Sequence, residues 1–341
     1  MTRATRLLQD AETAAAILRA GGLVAFPTET VYGLGADGLD AAAARAVFAA
    51  KGRPADNPLI LHVADEDGAS GLALWSAQAH ALAARHWPGP LTLVLPARPA
   101  VPVEVRAGLP TVAVRCPAHP LALELIRRAG RPIAAPSANR SGRPSPTTAQ
   151  AVWEELGGRI DAVLDGGPCA LGLESTVVDC TGPRLRLLRP GALPAEALGL
   201  PPLPDPDAPA ASPGMRHRHY APRVPLRLVV DMGAAWAACP GAAVLCSAAT
   251  AARLGLSSGV RVHVWSVGEA ARAAELYEAL RRLERSGAPC ILAEVLPAQG
   301  RDAATMDRLS RAAGSVATAW PPCGGGGVPT DRDVGPAGPA G

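Results

Sequence analysis

Lysine is nearly missing from this chain. Lys51 is the single lysine among 33 basic residues in 341 positions, and arginine fills every other basic site. A compact ammonium fits where a planar guanidinium fork does not. Lys51, in the turn Lys51-Gly52-Arg53-Pro54, is therefore a candidate for a confined charged site, such as one that holds a polyphosphate. Aromatic residues are scarce at 3%, too few for the base-stacking platform that grips single-stranded nucleic acid. A net charge of only +3 excludes a polycation, so any nucleic-acid contact is a local patch. The seven cysteines are odd in number, widely spread and without a Cys-x-x-Cys, which excludes a signalled disulfide framework or zinc knuckle. There is no apolar signal core and no apolar run of bilayer-spanning length, so a cytoplasmic location without membrane contact is expected.

Several catalytic signatures are also missing. There is no Walker A pattern and no G-x-G-x-x-G after a strand, so a nucleotide would have to be held by loops of another kind. Neither G-x-S-x-G nor H-E-x-x-H occurs, and no catalytic triad or metal-ligand set stands out.

What is present is a chain with 48% hydrophobic and 18% charged residues, enough for sizeable cores and about two domains. Helical patterns over 10–19, 40–52, 76–86, 119–129 and 147–156 alternate with strand patterns at 23–26, 59–63, 91–95, 111–115, 132–135, 161–165, 175–179 and 184–188. Some connections are too short for helical crossovers, which predicts an α/β fold with a mixed sheet. Residues 27–35 read as a Gly-punctuated loop. A proline-rich linker at 199–225 separates a domain at 1–198 from a smaller α/β unit at 226–318, and 319–341 reads as a disordered tail. The second unit shows strand patterns at 226–230, 242–246, 260–264 and 289–294, with helices at 268–285 and 302–313.

In the first domain, Thr28 and Thr30 follow one strand, and Ser137 and Asn139 follow another. Strand ends of open α/β sheets are where ligands bind. Lys51, Arg53 and Arg115 bring positive charge. Glu29 and Glu174 are candidate carboxylates near the polar loops, but nothing in their spacing pairs them, which favours reading each as a solvated loop acid. His62, inside an apolar strand, reads on its own as a satisfied core histidine, and Arg216-His217-Arg218-His219 as either an RNA-contacting patch or, as short basic runs more often are, a solvated stretch of the linker.

Five motifs occur in one order: Phe26-Pro27-Thr28-Glu29-Thr30-Val31-Tyr32-Gly33-Leu34, Lys51-Gly52-Arg53-Pro54, Asn57-Pro58-Leu59, Ala135-Pro136-Ser137-Ala138-Asn139-Arg140-Ser141-Gly142 and Glu174-Ser175-Thr176-Val177-Val178-Asp179. Together they resemble the YrdC-like threonylcarbamoyl-AMP synthases. A linker ending in His219-Tyr220-Ala221-Pro222 and leading into a second domain is similar to the long form of that family. The resemblance implies a twisted, open YrdC-like mixed sheet with flanking helices, plus a smaller Rossmann-like C-terminal domain with a mostly parallel sheet.

The resemblance also implies a reaction, in which L-threonine, bicarbonate and ATP give threonylcarbamoyl-AMP, pyrophosphate and water. Mg²⁺ would come with ATP, and no tightly bound cofactor is expected. A threonylcarbamoyl transferase complex would accept the intermediate and modify the adenosine beside the anticodon of tRNAs that read codons beginning with A. A weak contact with tRNA or double-stranded RNA is a further partner expectation. By the same resemblance, Lys51, Arg53, Ser137 and Asn139 form the catalytic signature. Thr30, His62, Arg115, Ala135 and Ser175 would hold threonine, so His62 would face substrate. Lys51, Arg53, Asn57, Thr111, Ser137, Asn139, Ser145, Arg189 and Tyr220 would hold ATP, with Tyr220 reaching back as a lid. Two alternatives stand beside this reading: a non-catalytic module that binds tRNA or double-stranded RNA, and a protein carbamoyltransferase.

Overall fold

The computed structural model describes residues 4–204 and 219–314. The proline-rich stretch at 205–218, with Arg216 to Arg218, and the tail from 315 lie outside the described residues. Among the described residues there are fourteen strands: β1 (Arg6–Leu8), β2 (Val24–Phe26), β3 (Gly33–Asp37), β4 (Ile60–His62), β5 (Leu91–Pro96), β6 (Thr111–Arg115), β7 (Ile133–Ala135), β8 (Ala162–Leu164), β9 (Thr176–Asp179), β10 (Arg186–Arg189), β11 (Leu226–Val229), β12 (Ala243–Cys246), β13 (Val262–Val264) and β14 (Ile291–Glu294). The helices are α1 (Ala11–Arg19), α2 (Ala41–Lys51), α3 (Asp67–Ser70), α4 (Ala77–His86), α5 (Val103–Arg106), α6 (Pro120–Ala129), α7 (Ala149–Leu156), α8 (Met232–Ala238), α9 (Ala248–Arg253), α10 (Glu269–Arg285) and α11 (Gly300–Ala313).

The first ten strands form one sheet in the order β1-β8-β2-β3-β7-β4-β6-β5-β9-β10. It is mixed: β2 pairs β3 antiparallel and β8 parallel, while β4 pairs β7 antiparallel and β6 parallel. The two-residue period of a strand sends alternate side chains to opposite faces. Along β2 and the residue before it, Val24 and Phe26 enter the core shared with α1 and α6, while Leu23 and Ala25 enter the core shared with α2, α4 and α7. The second sheet, β11-β14-β12-β13, is parallel throughout. Among the described residues, no helix is long and apolar enough to cross a membrane.

The structure departs from the sequence reading at β3, which lies where a loop was expected. Gly33 and Gly35 have little intrinsic strand preference, but the ring of Phe26 lies across them. A Cβ on Gly35 would meet Phe26 at 3.0 Å and Ile133 at 2.9 Å. The glycines make room for the aromatic ring, and pairing to β2 and β7 holds the strand in place. The short strand β1 and the four- to seven-residue helices α3, α5, α8 and α9 were also not expected from periodicity. Two of these helices are N-capped: Asp231 accepts from Ala234 N and Ser247 from Thr250 N.

Candidate active site

One cleft gathers residues from five strands of the large sheet, β3, β4, β6, β7 and β10, and from the loops at their ends. Parallel pairing sets His62 of β4 beside Arg115 of β6, and an isolated bridge sets Gly33 beside Ser137. Thr28, Thr30, Arg53, Ala135, Glu174, Ser175, Arg189 and Tyr220 complete the polar part of the lining.

Arg115 is held on three sides. Its Nη1 donates to Thr30 Oγ1 at 3.0 Å and its Nε to Gly89 O at 3.3 Å. Nη2 lies 2.7 Å from Glu29 Oε1, as a charge contact without good hydrogen-bond geometry. Glu29 is therefore not a solvated acid: its buried carboxylate sits against the guanidinium that the resemblance gives to a substrate carboxylate. Thr28 Oγ1 stands 2.7 Å from Thr30 Oγ1 and donates to Val31 O, so this loop is braced from within. His62 Nδ1 donates to Ile60 O at 3.2 Å, and Phe26 meets the imidazole edge-on. Burial, helped by Arg115, pushes the His62 pKa down to about 3, so the ring is neutral near neutral pH.

The opposite wall is cationic. Arg53 donates from Nη2 to Pro58 O at 3.1 Å and from Nε to Asn57 O at 3.3 Å. Arg189 Nη2 donates to Ser175 O at 2.9 Å, and Ser175 Oγ is 2.7 Å from Thr92 Oγ1. Burial lowers the pKa of the Arg53 guanidinium to about 10, still charged at neutral pH.

Some sequence candidates stand behind the cleft instead of lining it. Lys51 ends α2 and is 2% exposed. Its ammonium donates to Ser137 O at 2.5 Å and to Asn139 O, which ties the helix end to the Ser137–Asn139 loop. Burial, reinforced by Arg53, pushes its pKa well down. Asn139 Nδ2 donates to Arg140 O and Arg143 O, while its Oδ1 accepts from Ser137 Oγ. Ser145 Oγ donates to Glu174 Oε1. Thr111 stands at the far end of β6 from Arg115, and Asn57 lies beside Arg53; neither lines this cleft.

The sequence reading missed Glu174 and His219. Glu174 was read as a solvated loop acid, but it is buried in the cleft wall. Burial alone would raise its pKa, yet Arg308 and Arg189, with the Ser145 hydroxyl, bring it down to about 2. His219, also buried and lining the cleft, was read as part of a solvated run. Its neighbour Tyr220 adopts φ 65°, a left-handed conformation rare for a residue with a side chain, and closes one side of the cleft.

A family model described as telomere recombination, that of the Sua5, YciO and YrdC proteins, matches residues 16–191. A second, described as threonylcarbamoyl-AMP synthase, C-terminal domain, matches 187–314. The chain belongs to the threonylcarbamoyl-AMP synthase family. The threonylcarbamoyl-AMP synthase of Pyrococcus abyssi is 44% identical, over 88% of this chain and 93% of its own. That of Bacillus subtilis is also 44% identical, over 88% and 92%. The crystal structure of P. abyssi Sua5 complexed with L-threonine superposes with a TM-score of 0.82 at 41% identity, covering 91% of this chain and 97% of that one. The two-domain architecture described above is thus that of a long-form member of the threonylcarbamoyl-AMP synthases.

Proposed function

We propose that this synthase-family chain condenses L-threonine, bicarbonate and ATP into threonylcarbamoyl-AMP, releasing pyrophosphate and water. The observation that carries the reading is the cleft itself. Arg53, Arg115 and Arg189 converge on one walled space with Thr30, Ser137 and Ser175, under Tyr220. Such a site suits a substrate with a carboxylate, a small hydroxylated side chain and a polyphosphate. Arg115 would take the threonine carboxylate, with Glu29 turning aside or sharing the guanidinium. Thr30, His62, Ser175 and the main chain at Ala135 would surround the rest of the amino acid. A neutral His62 suits this, because it exchanges hydrogen bonds without adding a charge.

Threonine carbamate carries its own nucleophilic oxygen anion. It attacks the α-phosphorus of ATP, the bond to the β-phosphate oxygen breaks, and pyrophosphate leaves. No side-chain nucleophile is required, and catalysis rests on alignment and charge stabilisation. Arg53 and Arg189 are the cleft cations suited to the phosphates. Lys51 contributes by fixing the Ser137–Asn139 loop. Among the described residues no cluster of His, Cys, Asp and Glu forms a metal-ligand set; in this reading Mg²⁺ arrives as part of the ATP substrate. Tyr220 and His219 keep water from a carbamate and a mixed anhydride that would both hydrolyse in the open. A transferase that acts on tRNA in the cytoplasm would take the product.

Purified protein tests the reading. Pyrophosphate release that requires both threonine and bicarbonate supports it. Salt-sensitive RNA binding without such release would leave the RNA-module reading instead, and turnover of carbamoyl phosphate would favour the carbamoyltransferase.

A further inference from the structure

The C-terminal domain reaches into the cleft wall. Its core is continuous with the first domain, because Val31, Leu173, Ala192 and Tyr220 pack in one cluster with Leu276, Tyr277, Leu280 and Leu309. Gly172 makes this approach possible. A Cβ there would lie 2.5 Å from both Cα and O of Ala274, so the loop before Glu174 rests directly on the backbone of α10.

Glu174 is the anchor across this junction. The Tyr277 hydroxyl of α10 lies 2.9 Å from both carboxylate oxygens, and Arg308 Nε of α11 donates to Oε2 at 2.9 Å. Arg308 is fully buried, and its Nη1 donates to Pro190 O at 2.9 Å and Asp307 Oδ2 at 2.7 Å. Both side chains that Glu174 orients then meet Tyr220. The Tyr277 ring stacks on the Tyr220 ring, with centroids 5.8 Å apart and planes at 28°. The Arg308 guanidinium lies over the same ring, 5.2 Å from its centroid. Beyond the ring, Ala221 N donates to Gly142 O and Arg223 N to Glu284 Oε1, so the chain leaving Tyr220 is fastened to both domains. A left-handed backbone at a bulky residue persists only where its surroundings over-determine it. Here the surroundings come from α10 and α11.

We propose that Arg308 and Tyr277 are positioning residues of the synthase reaction: oriented by Glu174, they hold the ring of Tyr220 over the cleft, so that docking of the C-terminal domain and closure of the site are one event. The proposal rests on the functional reading above. It differs from a merely structural interface in one respect, which is that the whole effect of these side chains on turnover passes through Tyr220.

The test is a double-mutant cycle. Arg308→Gln removes the charge over the ring, and Tyr277→Phe keeps the ring but loses its hydrogen bonds to Glu174. Threonine- and bicarbonate-dependent pyrophosphate release is measured, together with hydrogen exchange at Tyr220 and Ala221. Arg308→Gln is expected to lower kcat/KM for ATP about tenfold, and Tyr277→Phe a few-fold. In a Tyr220→Ala background the same substitutions should cost less than about twofold more. Exchange at the two amides should quicken in both single variants. Arg272→Gln, which breaks the Arg272–Asp302 pair between α10 and α11 away from the cleft, should leave kcat unchanged.

Full additivity with Tyr220→Ala, or unchanged exchange at Tyr220 and Ala221, would overturn the proposal. If Arg308→Gln does not fold, the near-isosteric Tyr277→Phe carries the same test. A wild-type protein without threonine-dependent release sinks the functional reading alone, because the exchange measurement still decides the positioning claim.

Discussion

Replacing Lys51 with methionine separates two accounts of the chain's one lysine. Methionine keeps the apolar stem but has no donor. Ser137 O and Asn139 O then lose the ammonium that both accept from. Leaving a buried carbonyl without its partner costs about 1–3 kcal/mol, and removing a buried charge offsets part of that. We expect a net loss of about 3 kcal/mol of unfolding free energy, read as a lower urea midpoint at unchanged slope. Because Ser137 lines the cleft, a loosened loop should also lower kcat/KM about tenfold or more. Lys51→Arg retains the charge but places a wide fork where one nitrogen sits between two carbonyls. Overpacking of this kind costs about 1–3 kcal/mol, so stability and activity should fall together there as well. The assay is urea unfolding beside pyrophosphate release on the same preparations. Lost activity at full stability would show that the ammonium acts on substrate directly. Wild-type behaviour in both measurements would refute the clamp altogether.

Other outcomes follow from the same geometry. The Glu174 carboxyl falls from 4.5 to about 2 on folding, so its stabilisation is complete above about pH 4.5 and is lost as pH drops toward 2, about 3 kcal/mol in all. Glu174→Gln should flatten that acid limb in denaturant midpoints taken across the range; an unchanged limb would show that other carboxylates set it. His62, with its pKa held near 3 by burial and then Arg115, should show no imidazole titration by NMR between about pH 5 and 8. A midpoint near 6 would mean that the ring is solvated. Gly172→Ala adds a Cβ at φ 69° against the α10 backbone, and should cost about 2 kcal/mol or more in thermal unfolding. A neutral result would mean that the two domains are not in contact there.

Much of the fold was legible because it is written locally. The strand patterns that end in Thr28, His62, Arg115 and Ser137 converge on one cleft, as strand ends of an open sheet tend to do. Other features depend on partners far along the chain. Glu174 reads as an ordinary loop acid until Arg308, 134 residues later, is placed beside it. Strand β3 has almost no strand propensity of its own and exists because Phe26 needs two glycines beneath its ring. For Lys51, the composition marked a confined site, but only the fold shows the ammonium aimed at two main-chain carbonyls and not into the cleft. Ser145 likewise has a hydroxyl of the right kind near the right motif, but Glu174 engages it.

The burial of Lys51 makes the chain its own reporter. A lysine-specific protease has one target in the sequence, the Lys51–Gly52 bond. In the folded protein that side chain is 2% exposed and held by two carbonyls. Cleavage under native conditions therefore requires the end of α2 to part from the Ser137–Asn139 loop. The rate at which two fragments appear measures the free energy of that opening, without any label or substitution. A molecule that binds only the closed cleft slows the cut in proportion to its occupancy. Ligands for this site can thus be ranked by digestion alone, before any turnover is observed.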